Sequence, residues 1–128
     1  MRIFQILGAT TNAAVPGNRV WLRYLHESLI EMGHDVVLFP TDEGRRAMVT
    51  DDAGLRADYS HLLAEAFREE HARRPVDLVF AYLMDGMVEP AAIDEIRAVG
   101  VPACNFSCNN IHQFHLRILP NKRQGITR

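Results

Sequence analysis

The densest run of chemically capable side chains is Asn105-Phe106-Ser107-Cys108-Asn109-Asn110-Ile111-His112-Gln113-Phe114-His115. Histidine is the side chain whose pKa suits proton transfer near neutral pH, so His112 is a candidate general base or substrate ligand. Asn109 and Asn110 would supply hydrogen bonds beside it. On a helix starting near Asn109, His112 falls one turn after Cys108 and His115 lies beside it, so three ligands would converge on a transition metal. Structural zinc normally takes four. A plainer role competes with both: Asn109 or Asn110 caps a helix and His112 is an ordinary helix residue.

A second set lies in the loop from Gly8 to Gly17, followed by Asn18. Thr10, Thr11, Asn12, Asn18 and the first amides of the next helix would hydrogen-bond a polar ligand there. The same residues also serve as a strand exit, a turn and a cap. Their spacing fits neither G-x-G-x-x-G nor a P-loop with its lysine, which disfavours a dinucleotide or nucleoside-triphosphate site. Asp85, in the turn Asp85-Gly86, is the third candidate. It cannot form a phosphoacceptor site alone, because Gly8-Ala9-Thr10 supplies no acidic pair, and no Asp-x-His-x-x-Gly stretch offers a histidine to cobalamin. His26, His61 and His71 sit among charged neighbours and read as solvated, and His34 belongs to a tight turn. Trp21 shares an apolar stripe with Leu25 and reads as core. Arg45, Arg46, Arg73 and Arg74 read as surface, and Cys104 as a small core residue.

These residues need a scaffold, and the hydrophobic pattern supplies one. Met1 to Gly8 is a short apolar run without helical period, the mark of a strand buried on both faces. Trp21, Leu22, Leu25, Leu29 and Met32 recur at helical spacing after the cap Asn18, and Gly33 ends that helix. Asp35 to Phe39, stopped by Pro40, reads as a short central strand. Thr41 to Gly54 carries charge without a steady period and is expected to be an exposed connection. Leu55 to about Arg73 is a second helix, ended before Pro75. Asp77 to Leu83 is a third strand, Pro90 to Val99 a third helix closed by Gly100, and Val101 to Phe106 a fourth strand. Strands alternating with helices predict an α/β Rossmann-like, doubly wound parallel sheet of at least four strands in the order 2-1-3-4. Ligands of such sheets bind beyond the carboxyl ends of the strands, here residues 8–18, 40–44, 84–89 and 107–114.

Length and charge narrow the classes. The chain has 128 residues, 48% of them hydrophobic and 23% charged, which suits one globular domain. A net charge of −2 points to neither a nucleic-acid partner nor a membrane surface. Residues 1–95 carry nine basic and sixteen acidic side chains, whereas 96–128 carry five basic and no acidic ones, so an anion would favour the C-terminal quarter. No apolar run approaches the roughly 18 residues of a membrane span, and two cysteines make no disulfide framework. A cytoplasmic location is the expectation. The domain is expected to span 1–116, with 117–128 a basic, frayed tail.

Three stretches together resemble the N-terminal domain of GT-B glycosyltransferases, in particular the bacterial spore-maturation type. They are Met1-Arg2-Ile3-Phe4-Gln5-Ile6-Leu7 with Asn18 and Trp21 downstream, Leu29-Ile30-Glu31-Met32-Gly33-His34-Asp35-Val36-Val37, and Gly100-Val101-Pro102-Ala103-Cys104-Asn105-Phe106 running into Asn109-Asn110-Ile111-His112. The resemblance covers nearly all of residues 1–116. It implies an acceptor-side Rossmann unit, with Asn12, Asn18, Asn109, Asn110 and His112 toward the glycosyl acceptor. Relatives often place an acidic residue in the last segment; here Asn109 and Asn110 stand there, leaving His112 as the titratable group. The nucleotide-sugar donor would belong to a second Rossmann domain or a partner chain, no metal and no cofactor of this chain being implied, and the domain would not transfer sugar alone. An uncovered sheet edge would favour self-association. Two other classes compete: a non-catalytic small-molecule-binding or protein-interaction module of the same fold, and a metal-dependent hydrolase using Cys108, His112 and His115.

Overall fold

A computed structural model of the chain describes residues 1–8 and 22–106. Its centre is β1, Arg2–Leu7, every residue of which is buried. A strand apolar on both faces needs cover on both, and the chain supplies it in turn. A π-helical segment Leu22–Glu27 runs into α1, Ser28–Glu31, and leads to β2, Asp35–Pro40. Helices α2, Asp42–Thr50, and α3, Ala53–Arg73, follow, then β3, Leu78–Ala81, α4, Pro90–Ala98, and β4, Ala103–Asn105. The four strands form one all-parallel sheet in the order β2-β1-β3-β4, the doubly wound Rossmann-like α/β architecture expected from the sequence.

Alternation along the strands sorts the core. Phe4 and Ile6 of β1, with Val79 and Ala81 of β3, pack against Leu63 and Phe67 of α3 and Ile96 of α4. Phe67 meets Phe4 edge-on at 5.4 Å, and Phe39 stacks on Phe4 at 6.1 Å. On the opposite face Gln5, fully buried, donates from Nε2 to the Leu25 carbonyl at 3.1 Å, while its Oε1 lies 2.9 Å from His26 Nδ1. A buried amide left unpaired would be costly, and the π-helical turn above it provides both partners. Gly33 and Gly100 end the helices before β2 and β4 with φ of +95° and +94°, the left-handed cap that glycine adopts freely.

The structure corrects several expectations. The stretch read as an exposed connection contains α2, whose buried residues are only Gly44 and Ala47. Residues this small bury a helix face without an apolar stripe. Asp51, at φ 51°, ends α2, and Asp52 caps α3 by accepting from Leu55 N at 3.0 Å. Strand β2 lies at the edge of the four-stranded sheet, not at its centre, and its apolar residues are half-buried. Cys104 is exposed, because β4 is the other outer strand. His26 and His71 are not solvated: His26 meets Gln5, and His71 stacks on Phe67 at 5.7 Å while its Nδ1 accepts from Val76 N. Arg73 and Arg74 are exposed, as expected; Arg74 pairs with Asp35 of β2, and Arg73 pairs with Glu70 within α3. Among the described residues no helix is long and apolar enough to cross a membrane.

Candidate functional site

Four parallel strands send their carboxyl ends to one edge, and the loops leaving that edge are where a doubly wound sheet binds ligands. Gly8 leaves β1 there, Thr41 and Asp42 leave β2, residues 82–89 link β3 to α4, and Phe106 follows β4. Thr41 N–H donates to the Leu7 carbonyl at 3.2 Å and Phe106 N–H to the Ala81 carbonyl at 2.7 Å, so each exit is tied to the neighbouring strand.

The link after β3 is held from three sides. The Asn105 carboxamide accepts from Leu83 N–H at 2.8 Å and donates to the Leu83 carbonyl at 3.1 Å. Arg56 of α3 donates from Nε to the Gly86 carbonyl at 2.6 Å, and Glu89 N–H donates to Ser60 Oγ at 2.8 Å. Within the turn, Met87 N–H donates to the Met84 carbonyl and Met84 N–H approaches Met87 Sδ at 3.4 Å. Asp85 is thus carried on a braced turn, a sound way to fix a functional carboxylate.

Beside Asp85 a groove of about 570 Å³ runs between α4 and strands β3 and β4, within the size range of small-ligand sites. Its lining is mainly apolar, including Ala81, Leu83, Val88 and Ile93, with Asp85, Asp94, Arg97 and Asn105 as its polar members. Across the edge, Tyr59 of α3 donates its hydroxyl to the Pro40 carbonyl at 2.7 Å beneath the β2 exit. Burial, and then the negative charge of Asp42, push its phenol far above the ordinary value. It is a hydrogen-bonding strut rather than a proton donor at neutral pH.

Of the site residues expected from the sequence, Asp85 is the one among the described residues, and it sits where expected, in the exit turn of β3. Thr10, Thr11, Asn12, Asn18, Asn109, Asn110 and His112 lie outside the described residues, as do Trp21, Cys108 and His115. Among the described residues no group of three or more His, Cys, Asp or Glu side chains could hold a metal ion. Sequence reasoning placed residues 40–44 at this edge without singling out Thr41 and Asp42, and it missed the clamp that Asn105 places on Leu83. Position was the signal for the first pair, directly after the Pro40 that ends β2; the second needs the register Ala81 to Asn105.

No family model, no curated protein and no solved structure matches the chain.

Proposed function

We propose that this chain is the acceptor-side half of a GT-B glycosyltransferase. On this reading a second Rossmann domain, or a partner chain carrying one, holds the nucleotide-sugar donor, and the glycosyl acceptor lies along the carboxyl edge of the sheet. The supporting observation is one juxtaposition: Gly8, Asp42, Asp85 and Asn105, far apart in sequence, leave four parallel strands at the same edge, with the groove opening beside Asp85. His112 removes the proton from the attacking acceptor hydroxyl, and Thr10, Thr11, Asn12, Asn18, Asp85, Asn109 and Asn110 hold the acceptor's other polar groups. The protein works in the cytoplasm, and a second copy or the donor domain covers the outer sheet edge.

The test is turnover by the product of the native gene: release of nucleoside diphosphate from a panel of nucleotide sugars in the presence of glycosyl acceptors. His112→Ala should lower kcat by about 10² or more, the usual worth of a general base, while the unfolding midpoint stays unchanged. Unaltered kinetics in that variant would remove His112 from the site. The groove itself favours a second reading, a small-molecule-binding or interaction module without catalysis, since its apolar lining suits a bound ligand as well as a substrate. Ligand-induced stabilisation without any nucleotide-sugar turnover would select that one.

A further inference from the structure

We draw no further inference here: the strongest candidate, the apolar groove between α4 and strands β3 and β4, belongs to the candidate site already described, and nothing in the structure shows what covers it.

Discussion

The side chain of Asn105 and the main chain of Leu83 are hydrogen-bonded in both directions, at 2.8 and 3.1 Å. The pairing adds one more rung to the β3–β4 ladder where the strands themselves have ended, and it fixes the turn that carries Asp85. Asn105→Ala should cost about 1 kcal/mol, the low end for two neutral bonds because the site is exposed. Asn105→Asp keeps an acceptor for Leu83 N–H but sets an oxygen against the Leu83 carbonyl, so it should not rescue. Amide exchange at Leu83 is the direct readout: protection equal to the parent's in either variant would show that the carboxamide does not hold the turn.

Gly44 is fixed by what stands above it. A Cβ there would come within 2.7 Å of Tyr59 Cε2 and 3.0 Å of Cδ2. Tyr59 is 4% exposed and tethered through its hydroxyl to Pro40, so the ring cannot swing aside. Gly44→Ala should therefore destabilise by about 1–2 kcal/mol, overpacking outweighing the better helix propensity of alanine. In a Tyr59→Leu background the same change should become neutral or favourable. Urea midpoints of the four proteins decide it, and an equal cost of Gly44→Ala in both backgrounds would refute the contact.

How far the sequence reveals this architecture depends on what each residue announces. β1 was legible because a short, mainly apolar run bounded by glycine has few alternatives, and the parallel order follows from the helix between successive strands, a crossover long enough to bring the chain back in the same direction. α2 was hidden because it buries glycine and alanine and exposes Val49, so its apolar residues mark the wrong face. His26 and His71 were misread for a related reason: their sequence neighbours are charged, but helical geometry turns their own rings toward Gln5 and Phe67. The candidate edge was legible as a location, since exits are where strands stop. Its internal contact, Asn105 to Leu83, depends on register between strands, which no local pattern encodes.

Tyr59 gives the fold an alkaline limit. Burial and the nearby Asp42 charge raise its phenol above the ordinary value near 10. A group that holds its proton longer when folded contributes stability that is complete below the unfolded pKa and is lost as pH rises through the folded one. Above about pH 10 the unfolded chain releases this proton while the folded chain retains it, so stability must fall. Tyr59→Phe removes the bond to Pro40 and should cost about 1 kcal/mol at neutral pH. The gap between parent and variant should then narrow steadily from pH 10 to 11. A gap that stays constant over that range would show that Tyr59 ionises as freely in the fold as outside it.

At the amino end of the sheet, Arg2 does for α3 what a C-terminal cap does, and its burial makes the consequence large. The side chain is 6% exposed; Nη1 donates to the carbonyls of Glu70 and Arg74, Nη2 to Glu70 Oε1 at 2.6 Å, and Nε lies 3.7 Å from Asp35 Oδ2 without a hydrogen bond of its own. Hydrogen bonding from Arg73, and then from Arg2, holds the Glu70 carboxyl below its usual range against the opposing effect of desolvation. A depressed carboxylate contributes stability above its unfolded pKa, near 4.5, and loses it as pH falls through the folded value. Arg2→Met keeps the apolar stem but strips both carbonyls and Glu70 of their donor, and should cost about 2 kcal/mol, the range for hydrogen bonds to a charged group. Arg2→Lys should recover little, because a single ammonium cannot span two carbonyls and a carboxylate. Urea titrations at pH 7 and pH 3 separate cap from carboxylate. The Arg2→Met deficit should shrink at pH 3 without vanishing, since Arg73 still bonds Glu70 and the carbonyl contacts do not titrate. A deficit identical at the two pH values would assign the whole effect to the carbonyls and none to Glu70.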